Sequence, residues 1–330
     1  MWEATVLVER EQLVDARPEK IWELAGSPAA LSVFPGWFAF GVPGAVKGTD
    51  RLCCVLVSGQ GSFHRPVVDV RRVRCVVADV REEIPGQMIS WQVRNTEPAG
   101  KQVFTLSVHP RTGRSAIRVA VSDVVAGSLE TDCRAYWRRH VKTWLGCLRV
   151  AAEGRAPWPE AMMPAAMQRA MAAAAPLRKP MEASAAVVID GAPGAVWETI
   201  WDPASARLID PENVAWSGHV PGTPLRDAGE MQYLVRRHPG ERFTASVYMV
   251  TELADGRRAV IRHIGQQHEH VYVIAPVPGG TRLELTARWP TRAVRGRAWA
   301  QETPEEIREE LRRSAEAYQA IIEGSPGSGG

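Results

Sequence analysis

Alternating apolar and polar positions recur along this chain in short blocks, and the blocks come in two sets. Thr5 to Val14 opens the first set, followed by RLCCVLVSG, VRCVVADVREEIPG, MISWQVRN, VFTLSVHPRTG and SAIRVAVSDVV. Ala185 to Ile189 opens the second, followed by MQYLVRR, FTASVYMVTELADG, AVIRHIG, HVYVIAPVPGG and TRLELTARWP. Period-two alternation bounded by glycine, proline and aspartate predicts half-buried antiparallel strands. Each set closes on a longer period: Leu129 to Glu153 and Pro304 to Glu323 repeat their apolar residues every three or four positions, which predicts a long helix. After the first strand of each set comes a proline, Pro18 or Pro193, at the first turn of a short helix, where its missing N–H leaves no bond unmade. A second proline-marked short helix follows.

The two sets are copies. VDARPEKIWELAGSP and IDGAPGAVWETIWDP align without a gap and match Asp15 with Asp190, Pro18 with Pro193, Trp22 with Trp197, Glu23 with Glu198 and Pro28 with Pro203. A VPG tripeptide recurs further on, at Val42 to Gly44 and Val220 to Gly222, with a few residues inserted between. An internal repeat of this size predicts two homologous domains. We expect the first over residues 1–155, a linker over 156–180, the second domain over 181–324, and a flexible Gly/Ser tail over 325–330. The linker carries Met163, Met167, Met171 and Ala174 at helical spacing, either docking an apolar face on a domain or covering a ligand.

Composition narrows the class. A chain of 330 residues with 45% hydrophobic and 23% charged residues suits two globular domains, and no apolar run is long enough to span a membrane. The N-terminus lacks a secretory pattern, so the expected location is cytoplasmic. A formal charge of +3 without a recognition motif gives no support to a nucleic-acid partner. The five cysteines show no zinc spacing and are expected to be reduced and apolar in character.

The order of strand, two short helices, several strands and a long helix, with the APGAVWETIWDP stretch and its weaker copy ARPEKIWELAGSP, resembles the START-like helix-grip superfamily. That group includes polyketide cyclase/dehydrases and lipid-transfer proteins. The resemblance covers residues 3–154 and 181–324. It implies an α+β fold of two tandem helix-grip domains, each a curved antiparallel sheet wrapped around its long C-terminal helix, with one cavity per domain. Such cavities take apolar or aromatic molecules and fix them with a few polar groups.

RHIGQQHEHVYV, Arg262 to Val273, is the densest run of candidate chemistry. If Gly265 and Gln266 form a two-residue turn, Arg262 lies opposite Glu269 on the solvent face, and His263, His268, His270 and Tyr272 share the inner face. Imidazoles there could handle protons near neutral pH or simply sit at a wet cavity mouth. The carboxylates that would orient metal-bound imidazoles are missing from that face, so no metal is expected. In the first half, Cys133, Tyr136, Trp137, His140, Trp144 and Cys147 form one stripe of the closing helix, as packed core or as a ligand wall. Trp91 lies on the inner alternation, Trp289 ends the last strand, and Asp123 ends a strand at a cavity mouth. Arg288, Arg292, Arg295 and Arg297 could draw a phosphorylated or carrier-bound substrate if they line a mouth.

Two functions stay open. The first is a natural-product cyclase of the aromatase/cyclase type, with His263, His270 and Tyr272 in acid/base roles and Trp91, Tyr136, His140, Trp144, His268 and Trp289 against the ligand. The second is a non-catalytic carrier or sequestering protein for a hydrophobic or aromatic small molecule. Neither reading implies a cofactor, and the oligomeric state is left open.

Overall fold

The structure is a computed structural model and describes residues 5–33, 37–42, 52–57, 73–94, 101–123, 130–158, 163–173, 180–239, 242–266, 268–290 and 303–324. The chain forms two compact units, each built on one seven-stranded antiparallel sheet.

In the first unit β1 (Thr5–Val14) leads into α1 (Pro18–Ala25), which starts on its proline, and then into a 3-10 turn at Pro28–Val33. Six strands follow: β2 (Trp37–Gly41), β3 (Leu52–Val57), β4 (Arg74–Ile84), β5 (Met88–Arg94), β6 (Lys101–Arg111) and β7 (Arg114–Asp123). The sheet runs β1-β7-β6-β5-β4-β3-β2, so each strand after β2 pairs with the one before it and β7 returns to β1. The closing helix α2 (Glu130–Ala152) lays Trp137, Val141, Trp144, Leu145 and Leu148 into a core shared with Ile21, Ile89, Trp91, Leu106, Ile117 and Val119.

After α3 (Met163–Ala173) the second unit repeats the plan. It contains β8 (Met181–Ile189), α4 (Pro193–Trp201), α5 (Ser205–Ile209), β9 (Val214–His219), β10 (Met231–His238), β11 (Arg242–Ala254), β12 (Arg258–His263), β13 (Glu269–Val277), β14 (Gly280–Trp289) and α6 (Pro304–Gly324). The order β8-β14-β13-β12-β11-β10-β9 is that of the first sheet. Ile307, Leu311, Ala315, Tyr318 and Ile322 of α6 pack on Ala183, Ile189, Ile261, Ile274, Leu283, Leu285 and Trp289. Each unit is thus a helix-grip fold.

Three devices recur in both units and hold the frame. Ser115 and Thr281, both fully buried at the start of β7 and β14, donate their hydroxyls to the carbonyls of Ala16 and Gly191 at 2.7 Å. Glu153 and Glu323, at the C-terminal ends of the long helices, accept the backbone N–H of Asp15 at 3.2 Å and of Asp190 at 3.0 Å. A β-bulge interrupts β4 between Val80 and Glu82 and β11 between Val250 and Glu252, and a bulge of this kind sharpens the local bend and twist of a sheet.

Among the described residues each unit has one more strand than the alternation predicts. β2 and β9 are short edge strands; WFAFG is a continuous apolar run with no period-two signature, and VAWSGH carries a glycine beside its last residue. In α3, Met167 and Met171 are buried and Gln168 donates from Nε2 to the Gly229 carbonyl at 3.1 Å. Ala174, Arg292, Arg295 and Arg297 lie outside the described residues, as does the side chain of Asp123. No described helix is long and apolar enough to cross a membrane.

Candidate functional site

The β12–β13 hairpin brings the histidines together in the register that a two-residue turn at Gly265 and Gln266 requires. Arg262 pairs with Glu269 and Ile261 with His270, and the His263 N–H donates to the His268 carbonyl at 3.1 Å. Gly265 has φ 87°, a left-handed conformation that glycine adopts without a Cβ penalty. His263 and His268 therefore face each other with ring centroids 4.7 Å apart, and His270 stands 5.2 Å from His268. All three lie on the face that carries Tyr272 and Ile274 toward the core with α6.

The Arg262–Glu269 pair forms as expected, with Nε donating to Oε1 at 2.8 Å, but its environment differs from the expectation. The pair is not on a solvent face: the side chains are only 16% and 9% exposed. The alternation assigns a face to the pair without showing what covers that face.

Tyr248 of β11 completes the cluster. It lies opposite His263, with ring centroids 4.9 Å from His263 and 6.3 Å from both His268 and His270. Sequence reasoning misses it because of the bulge. Counting back from the β11–β12 turn without a bulge sets Met249 beside His263 and sends Tyr248 to the other face, whereas the extra residue between Val250 and Glu252 reverses that parity. Tyr318 of α6 closes the same region, near Tyr272.

Burial sets the protonation of these groups. It lowers the His270 pKa to about 4, with the positive charge of Arg236 adding to the effect. Arg236 is itself held by Asp210, Nη1 to Oδ2 at 3.0 Å. Burial also pushes Tyr272 up to about 12, raises Tyr248, and raises Tyr318 well above the usual phenol value. His270 is therefore a neutral imidazole near neutral pH, able to donate or accept, and Tyr248, Tyr272 and Tyr318 keep their protons for donation. Tyr248, His270 and Tyr272 keep intermediate exposure although they face the core.

Trp289 is 5% exposed and packs in the second core. Trp91 and Trp144 are 0% and 1% exposed in the first core, and the Trp144 indole donates to the Ala30 carbonyl at 2.9 Å. Tyr136 stacks on His140 at 3.8 Å between centroids, and His140 Nδ1 lies 2.7 Å from the Tyr136 carbonyl oxygen. Burial raises the Tyr136 pKa and lowers that of His140. Arg288 pairs with Glu182 at 3.3 Å. The structure thus joins His263, His268, His270 and Tyr272 in the second unit and puts Trp91, Tyr136, His140 and Trp144 in the first. A groove of about 710 Å³ on the second unit, lined by Glu198, Trp201, Asp202, Leu208, His219 and Arg226 among others, shares no residue with the histidine cluster.

Among the described residues no cluster of His, Cys, Asp or Glu has the arrangement of a metal site. No family model matches the chain, and no curated protein matches it. Among solved structures the chain is similar to the di-domain ARO/CYC StfQ from the steffimycin biosynthetic pathway, at 15% identity over 96% of this chain and 98% of that one, with a TM-score of 0.35. It is also similar to the di-domain ARO/CYC BexL from the BE-7585A biosynthetic pathway, at 16% identity over 97% and 99% and a TM-score of 0.35. The AHSA1-like protein from Aeromonas hydrophila matches 44% of this chain over 93% of its own length, at 16% identity and a TM-score of 0.35.

Proposed function

We propose that the second unit is the working chamber of a polyketide-type aromatase/cyclase. The observation that carries this reading is the cluster of Tyr248, His263, His268, His270 and Tyr272 set against the apolar wall of Ile261, Ile274 and Trp289. A folded poly-carbonyl chain fits such a wall, and its oxygens need donors where negative charge develops. The phenols of Tyr248 and Tyr272 supply them. In an aldol step a methylene C–H yields its proton to an imidazole. The resulting enolate carbon bonds to a second carbonyl carbon, and that carbonyl oxygen takes the proton. Loss of water then uses the same proton carrier. His270 is a neutral imidazole, not an imidazolium, at neutral pH, but an enolate forming beside it favours the imidazolium, so proton uptake accompanies C–H cleavage.

A second reading, binding without turnover, is favoured by one feature. Glu269 and Asp210 are engaged by Arg262 and Arg236, and burial with the charge of Arg236 leaves His270 a weak base. Incubation with a synthetic poly-β-ketone thioester, followed by mass analysis, separates the two. Cyclisation with loss of water, slowed roughly 5- to 100-fold by His263→Ala and His270→Ala, is the expected outcome. Retention of the intact compound would favour the carrier reading, and wild-type turnover in both variants would remove the cluster from the reaction.

A further inference from the structure

The two units share a frame but not an interior. Their registers can be matched through the common turns at Gly86 and Gly256, with φ 76° and 72°, and through the common bulges. Val93 then stands in the place of His263, Ala78 in that of Tyr248, Phe104 in that of His270 and Leu106 in that of Tyr272. Along the closing helices, counted back from Glu153 and Glu323, Leu148 replaces Tyr318 and Trp144 takes the place of Ser314. Each of these polar groups has an apolar counterpart, whereas His268 is matched by the polar Gln102.

The counterparts also occupy the space. Trp91, which takes the place of Ile261, has its ring centroid 5.6 Å from that of Phe104, and Phe104 meets Trp144 edge-on at 5.7 Å. The three are 0%, 5% and 1% exposed, whereas His270 and Tyr272 keep intermediate exposure at the matching positions of the second unit. The Trp144 bond to the Ala30 carbonyl fixes the orientation of that indole.

We infer that, among the described residues, the ligand chamber lies in the second unit and that Trp91, Phe104 and Trp144 occupy the volume a ligand would take in the first. This rests on the proposed chamber of the second unit. The physical basis is that close-packed indoles leave no room for a guest, and displacing one would cost the packing and hydrogen bonding that hold it.

Native mass spectrometry of the full-length protein saturated with emodin, a neutral anthraquinone bearing keto and phenol oxygens, tests the stoichiometry. One equivalent is expected, and it should be lost in His270→Phe/Tyr272→Leu, which installs the side chains of the first unit. Two saturable equivalents would overturn the inference and leave the proposed chamber standing. No equivalent would overturn the chamber, and benzene then decides the inference. In fluorine NMR of full-length protein labelled with 5-fluorotryptophan, and assigned by Trp91→Phe and Trp144→Phe, neither resonance is expected to move with benzene. Trp144→Ser, which copies the second unit, is expected to make the Trp91 resonance responsive. A benzene or emodin shift at either indole of the wild-type protein would overturn the inference whatever the second unit binds.

Discussion

His263 and His268 face each other across the β12–β13 hairpin at 4.7 Å between ring centroids, and Tyr248 packs edge-on against both. Two imidazoles so close resemble half of a metal site, but a stable site needs further ligands and carboxylates to orient the rings. The expected outcome is less than about a tenth of an equivalent of zinc, iron or nickel per chain in elemental analysis of untagged protein. A stoichiometric metal removable by chelation would contradict this.

Stability should depend on pH through His270. Its pKa is about 4 in the folded chain against an ordinary 6.5, so between these values the unfolded chain binds the extra proton. Stability is then full above about pH 6.5 and falls as the pH drops toward about 4, by up to about 3 kcal/mol. His268, Tyr248 and Arg236 surround the ring, and none supplies a negative charge that would hold the proton. His270→Phe is expected to flatten the profile of urea midpoint against pH over that window. An unchanged slope would assign the dependence to other groups.

The covered Arg262–Glu269 pair should be costly to break and cheap to replace. Glu269→Ala leaves a guanidinium only 16% exposed beside an apolar hole, and a loss of about 2 to 3 kcal/mol is expected, less than for a fully dry pair. Arg262→Met/Glu269→Leu should recover most of it. Denaturant melts of the single and double variants measure both, and a neutral Glu269→Ala would show that the pair is solvated.

Trp144 should behave as core. Trp144→Ala removes an indole with 1% exposure and its bond to Ala30, for an expected loss of about 3 to 5 kcal/mol. A change in melting temperature of only a few degrees would mean that the indole lines an open space.

Two adjacent glycines of the β13–β14 turn should differ sharply. A Cβ on Gly280 would lie 2.1 Å from the Ile189 carbonyl oxygen, on backbone that cannot yield, with φ 143°. At Gly279, φ 88°, a Cβ meets nothing within 4 Å, and the cost is that of the left-handed conformation alone. Gly279→Ala is expected to cost about 1 to 2 kcal/mol, and Gly280→Ala more than about 4. Equal urea midpoints would refute the contrast.

Much of this architecture can be read directly from the residue pattern. Period-two alternation, prolines at helix starts and a gapless repeat are local signals, so six of the seven strands of each unit, the long closing helices and the duplication follow from them. The β12–β13 register also follows, because a glycine-first turn of two residues fixes which side chains face each other across the hairpin. Tyr248 could not be found that way, because one bulged residue in β11 reverses the side-chain parity and alternation carries no mark of the extra residue. The same holds for what covers a face. The stripe of Tyr136, His140 and Trp144 reads equally well as core or as ligand wall, and only packing in three dimensions seals Trp144 against Phe104 and Ala30. Arg262 and Glu269 were matched by register but covered by tertiary contacts. Sequence periodicity states which way a side chain points; the neighbours it meets come from distant parts of the chain, and those neighbours decide burial, protonation and the space left for a ligand.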